Sequence, residues 1–391
     1  MRSTILDLVT PLRGYSISKR AGMIQPPMLL TCHMTLEFGL DSFADIMTDV
    51  DGTWLSDAET LRKLVDEAVL AESLGIDIFS IGEHYRADMM DSAPAVILSN
   101  IAARTERLRL GTSVTVLSTN DPVRTFHDFS TLDAVSNGRA QLVVGRASRT
   151  DSFPLFGFDL ADYEQLFEEN LELWVKLLGE EPVTWSGMSR PELTDRVLHP
   201  RLERVGAENG RLPTWVGVGG SPNSVVRAAR YGLPLMLAII GGHPSRFAPY
   251  VDLYFRALEQ FGFDKKPVGQ HSIGLIAETD GEARDAFWPA WSQVMSSERG
   301  MPTPSREQFD AEAAHGALFI GTPESVAQRI VESVHDLSLS RFDLKFDMPT
   351  LPWEHRERTI ELYGREVIPR VRELLATETE TDAADAAETA A

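Results

Sequence analysis

The chain has 391 residues, 43% hydrophobic and 24% charged, a composition able to bury a large core. Its 58 Asp and Glu against 37 Lys and Arg give a formal charge of -21, which repels nucleic acid and anionic lipid and favours solubility. The one cysteine, Cys32, excludes an internal disulfide and a cysteine cluster, and the nine histidines show no three- or four-residue pairing, so no metal site is expected.

Residues 1–33 lack the apolar stretch of a secretory signal and read as an extension before the first strand, with Met34 an alternative start. No later run approaches the roughly 20 apolar residues that span a bilayer, so no membrane partner is expected and the protein reads as cytoplasmic. From there, short β-branched runs alternate with longer amphipathic segments. Strands are predicted at Thr35–Leu40, Ile76–Ile81, Leu108–Leu117, Arg139–Val144, Thr214–Val218, Leu233–Ile240, Gln270–Ala277 and Arg341–Asp347. The clearest helix carries Leu61, Leu64, Val65, Ala68, Val69, Ala71 and Leu74 on one stripe, with Asp57 as its N-cap and Gly75 as its terminator. Further helices are predicted at Pro122–Val135, Tyr163–Leu178, Ser221–Tyr231, Ser245–Phe261, Glu282–Met295, Pro323–His335 and His355–Leu375. Eight strands, most of them followed by a helix, point to an α/β fold, a closed (β/α)8 TIM barrel over residues 34–375. Two long connections, near Gly179–Leu212 and Ser296–Leu318, read as lids, and residues 376–391 as an acidic tail that does not pack.

In such a barrel the chemistry sits after the strands. After the second strand comes Glu83-His84: a histidine there can exchange protons near neutral pH, with Glu83 to orient it, although lone histidines are also ordinary structural residues. After the third comes Ser113-Val114-Thr115 and a polar turn ending at Asn120, which alone decides nothing. After the fourth, Arg146 stands among small residues, able to grip a phosphate or to form a surface ion pair. After the fifth, Gly219 and Gly220 precede Ser221 as an N-cap and Pro222 at the first helical position, with Ser224 a turn later. The free N–H groups of that helix end suit an anion, and the same residues also make a tight turn. A dinucleotide fingerprint is disfavoured because Pro222 stands at its third glycine.

In this order the residues resemble the bacterial luciferase-like flavin monooxygenases, in particular a clade of oxidoreductases that use flavin mononucleotide (FMN). The resemblance covers about residues 34–375. It rests on Glu83-His84-Tyr85-Arg86, Ala102-Ala103-Arg104-Thr105 with Leu110-Gly111-Thr112, Asp121-Pro122-Val123-Arg124, Leu132-Asp133-Ala134-Val135-Ser136-Asn137-Gly138-Arg139 and Ser152-Phe153-Pro154-Leu155-Phe156-Gly157. It implies that His84 is the active-site histidine and that Arg146, Gly219, Gly220, Ser221 and Ser224 hold the phosphate. It also implies that Ser113-Val114 is a non-prolyl cis peptide against the flavin ring. Tyr85, Ala147 and Glu164 depart from the luciferase pattern, where a histidine, a glycine and a phosphate-binding arginine stand, so light emission is not implied. The resemblance further implies a monooxygenase that takes reduced FMN from a separate flavin reductase, and O2, to oxidise a small organic substrate, as a homodimer. Hydride transfer with a deazaflavin and a non-catalytic flavin-binding partner subunit are the alternatives it leaves open.

Overall fold

A computed structural model describes residues 36–147, 149–179, 182–202, 212–298 and 304–378. The predicted extension at 1–33, Met34, Thr35 and most of the acidic tail lie outside these residues.

The strands, in chain order, are β1 (Glu37–Ser42), β2 (Ile78–Ile81), β3 (Arg109–Thr112), β4 (Thr115–Val116), β5 (Leu142–Gly145), β6 (Val183–Trp185), β7 (Leu193–Arg196), β8 (Thr214–Val218), β9 (Leu235–Ala238), β10 (Val268–Ile276), β11 (Phe319–Gly321) and β12 (Arg341–Lys345). The large sheet runs β3-β2-β1-β12-β10-β9-β8-β5-β4, and every pair in it is parallel. β3 and β4 are two halves of the predicted third strand. β3 pairs with β2 and β4 with β5, and the Leu110 N–H donates to Arg139 O at 2.9 Å, so the sheet closes on itself as a (β/α)8 barrel. At the break, the Thr112 hydroxyl takes over the backbone's role: it donates to Val143 O (3.1 Å) and accepts from Val143 N–H (3.2 Å).

Around the barrel lie α1 (Asp57–Ser73), α2 (Pro94–Ala102), α3 (Pro122–Val135), α4 (Ser152–Phe156), α5 (Tyr163–Gly179), α6 (Pro222–Arg230), α7 (Ala248–Phe261), α8 (Asp280–Glu298), α9 (Arg306–His315), α10 (Pro323–Leu337) and α11 (Trp353–Leu362). The N-cap of α1 is Ser56, one residue before the predicted Asp57. Its hydroxyl accepts the Glu59 N–H while the Glu59 carboxylate accepts the Ser56 N–H, a reciprocal pairing that Asp57 is too late to make. Gly75 does follow the helix with φ +76°. Neither predicted lid is all loop: the first contains the antiparallel β6–β7 hairpin, and the second contains α9 and leads to β11, which pairs with the end of β10.

Alternation along the strands sorts the side chains. Phe38 and Leu40 of β1, Leu142 and Val144 of β5, Val216 and Val218 of β8 and Phe342 and Leu344 of β12 face the helices in one large apolar core. The alternate positions point inward, and there the barrel is polar: Asp41, Ser80, Arg341, Asp343 and Lys345 are all buried, beside a small apolar cluster of Val143, Trp215 and Met236. Gly39 is glycine for this reason, since a Cβ would overlap the Asp343 carboxylate.

Arg139 shows why the turn after α3 has its sequence. Its buried guanidinium donates to the carbonyls of Ser136, Leu108, Ala102 and Thr105 and to the Thr105 hydroxyl, at 2.8–3.0 Å, tying α2, α3 and β3 together. Burial lowers its pKa from the usual arginine value. Arg139→Met strands four carbonyls, and we expect a loss of about 3 kcal/mol, at 1–3 kcal/mol per unsatisfied buried group with partial relaxation. A urea midpoint equal to that of the parent protein would refute this.

Candidate active site

The C-terminal ends of the strands bring two groups of side chains together. The first surrounds His84, just past β2. Its Nδ1 lies 2.8 Å from Asp91 Oδ2, and its backbone N–H donates to Asp91 Oδ1 at 3.0 Å. Burial raises the Asp91 pKa, partly offset by these bonds to His84. Gly82 leaves room for the clamp, because a Cβ there would sit 2.6 Å from Asp91 Oδ2 and 2.6 Å from Phe43.

The predicted partner, Glu83, is turned away. Its carboxylate accepts the Tyr85 hydroxyl (2.5 Å), the Val116 N–H (2.9 Å) and the Asn120 amide (2.7 Å), so it anchors the loop after β2 to β4. All of these partners lie on the β2–β4 side, and none of them is His84. Orienting His84 therefore falls to Asp91.

The ring of Phe43, just past β1, joins His84 to a second histidine. Its centroid is 4.5 Å from that of His84 and 6.0 Å from that of His271 on β10, with the latter pair stacked at 10°. His271 Nδ1 bonds to Asp41 Oδ2, which also accepts the Ser113 hydroxyl at 2.6 Å. Burial pulls the His271 pKa down, but the charge and hydrogen bond of Asp41 outweigh it and the net shift is upward. Lys345 Nζ lies 4.4 Å from the Phe43 ring centroid and pairs with Asp45 (2.6 Å) and Asp347 (2.7 Å). Ser113 therefore holds the floor through Asp41. The Ser113–Val114 peptide is cis, as the resemblance implied. Val114 packs between Gly145 and Gly217, where a Cβ would approach it to 2.7 and 2.9 Å. Without side chains at those two positions, Val114 can pack on Val143, Trp215 and Met236.

The second group lies across Val114. Arg146, just past β5, donates from Nη2 to Ser224 Oγ at 2.9 Å and pairs through Nη1 with Glu164 on α5. Arg227, on α6 and 8% exposed, pairs with the same Glu164 (2.9 Å) and with Glu168 (2.6 Å), while its Nη1 is buried with no partner among the described residues. Ser221 is the N-cap of α6 and spends no side-chain hydrogen bond on the cap. Gly219 faces open space, and Gly220 has φ +100°, a conformation that favours glycine. Arg146, Gly219, Gly220, Ser221 and Ser224 thus belong to one cluster at a helix N-terminus. Arg227 escaped the reading of strand ends because it lies inside α6, and its position three residues after Ser224 was the available signal. Among the described residues no group of three or more His, Cys, Asp and Glu side chains could hold a metal, and no helix is long and apolar enough to cross a membrane.

Residues 43–341 match the family model for luciferase-like monooxygenases. The chain is 32% identical over 340 residues to the 4-hydroxyprotoasukamycin monooxygenase of Streptomyces nodosus subsp. asukaensis, covering 76% of this chain and 84% of that one. In three dimensions it resembles the monooxygenase RslO1 from Streptomyces bottropensis, with TM-score 0.73 and 23% identity over 85% of this chain and 99% of that one. It also resembles the oxygenating constituent of 3,6-diketocamphane monooxygenase from Pseudomonas putida in complex with FMN, with TM-score 0.66 and 18% identity over 86% and 99%.

Proposed function

Because the chain belongs to the luciferase-like monooxygenase family, we propose that it is a flavin-dependent monooxygenase. In this reading it takes reduced FMN from a separate reductase, and O2, and oxidises a small organic substrate. The observation that carries the reading is a pair of unlike groups past the strands that flank the β3–β4 segment holding Val114. On one side lie cations and hydroxyls at a helix N-terminus, and on the other a histidine held by a buried carboxylate.

The residues fit a flavin phosphate. Arg227 Nη1 is a buried donor without a partner among the described residues, the Ser221 hydroxyl is not used as a cap, and the space over Gly219 is open to an incoming oxygen. Arg146, Ser221, Ser224 and Arg227 would hold that phosphate, and Val114 would carry the ring. The bound flavin supplies the electrons and the reaction with oxygen. The protein's part is to orient the ring, keep water out and move a proton. His84 has the geometry to move that proton, since Asp91 holds Nδ1 and leaves Nε2 for the exchange. Glu83 serves by fixing the loop that carries His84. The working unit in this reading is a cytoplasmic homodimer.

Arg146→Ala tests the phosphate half. A charged hydrogen bond to phosphate contributes about 1.5–3 kcal/mol, so the FMN Kd should rise tenfold or more while riboflavin, which lacks the phosphate, binds as before. Equal weakening of both would place Arg146 outside a phosphate site. Oxygen consumption coupled to substrate oxidation by the parent protein with reduced FMN checks the reaction, and turnover without oxygen uptake would favour the deazaflavin alternative.

A further inference from the structure

We propose that Glu164 is an internal competitor for the phosphate subsite, and that the subsite it guards favours doubly charged phosphate monoesters over singly charged phosphodiesters. The proposal rests on the flavin reading above and deepens it, because FMN is a monoester whereas a deazaflavin coenzyme carries a diester.

Glu164 sits in the first turn of α5, and its carboxylate bridges Arg146 and Arg227, the two guanidinium groups that close on the N-terminal end of α6. It occupies the place of an anion. Its neighbour Glu168 is differently held. That carboxylate takes Arg227 Nε (2.6 Å), Arg230 Nη1 (2.9 Å) and the Tyr231 hydroxyl (3.1 Å), and is the more buried of the two. The Glu164 side chain is 60% exposed and, among the described residues, is held by the two guanidinium groups alone, so it can swing into solvent without disturbing packed atoms.

Charge then decides what can displace it. With Glu164 withdrawn, Arg146 keeps no ion-pair partner among the described residues while Arg227 and Arg230 share the one carboxylate of Glu168, so the three guanidinium groups hold a surplus of two positive charges over it. A phosphate monoester above its second pKa of about 6 matches that surplus. A phosphodiester, like Glu164 itself, supplies one charge and gains nothing from the exchange. The donor count points the same way. Glu164 leaves Arg227 Nη1 buried without a partner. A monoester brings three terminal oxygens, enough for Arg146, Arg227 Nη1 and the hydroxyl end of α6, whereas a diester brings two.

The test compares the parent protein with Glu164→Gln at pH 8, measuring Kd for FMN, its monomethyl ester (a phosphodiester) and riboflavin by fluorescence. The parent protein should prefer FMN to the ester about tenfold or more, the equivalent of one favourable charge contact. In Glu164→Gln both FMN and the ester should tighten by about tenfold, the preference between them should stay within about threefold of the parent's, and riboflavin should be unchanged as the check on folding. No tightening of either ligand in the variant, a weaker grip on FMN, or no preference for FMN in the parent protein overturns the proposal and leaves the flavin reading standing. If no flavin binds either protein, the flavin reading falls, and inorganic phosphate against dimethyl phosphate, followed by the shift in thermal midpoint, decides Glu164 alone. Stabilisation by inorganic phosphate that is stronger in the variant upholds the competition, and no difference overturns it.

Discussion

His84→Ala should lower turnover by about two orders of magnitude or more while leaving the Kd for reduced FMN within about twofold. General acid or base catalysis by a placed side chain contributes about 10²–10⁴, and the cations that would hold the flavin lie across Val114, away from the imidazole. The size of the effect depends on how firmly the ring is held. Asp91 takes both the backbone N–H and Nδ1 of His84, which fixes the ring's tilt and the nitrogen it presents. Steady-state turnover at saturating substrate, beside fluorescence titration of the flavin, checks the two halves separately. Unchanged turnover would remove His84 from the chemistry, and lost flavin binding would make it a structural residue.

Asp343→Ala should cost about 3–5 kcal/mol, the range for a buried ion pair deprived of one partner. Arg341 and Asp343 are both fully buried inside the barrel, with contacts of 2.6–3.0 Å between guanidinium and carboxylate. Arg341 also reaches Ser80 (3.3 Å) and lies over the Trp215 ring, 5.3 Å from its centroid. Without Asp343 the arginine is a charge in a dry interior. Against a total stability of about 5–15 kcal/mol, the loss should show as a large fall in the urea midpoint or as insoluble protein. The double change Arg341→Met with Asp343→Leu removes both charges and should recover much of the loss. If the single and double variants are equally unstable, the charge argument is wrong and the loss is one of shape.

The fold was largely legible because its signals are local. The Thr214–Val218 strand and the Pro122–Val135 helix are observed with their predicted bounds, and each is a periodic run with a clear stop. What was missed lacked such a run. β11 is three residues long, Leu193–Arg196 in β7 is mostly exposed and polar, and the helix Pro94–Ala102 is too short and uniformly apolar for its period to separate helix from strand. The charged residues inside the barrel did leave a trace. Arg341, Asp343 and Lys345 alternate with Phe342 and Leu344, a period of two in which the polar face is as buried as the apolar one. On an ordinary sheet that pattern would put the polar face in water.

The sequence by itself determined the barrel, the strand ends at which chemistry can sit, and the cluster at the start of α6, because period, caps and glycine placement act over a few residues. Only the tertiary structure decided which side chains meet. Asp91 rather than Glu83 holds His84, His271 joins Asp41 and Ser113 across 72 to 230 residues of chain, and Glu164 stands between Arg146 and Arg227. Those pairings follow from barrel closure. It sets β10 and β3 each two strands from β1, so that their inward faces meet inside the barrel, and sets the start of α5 against α6, and no local pattern carries that distance.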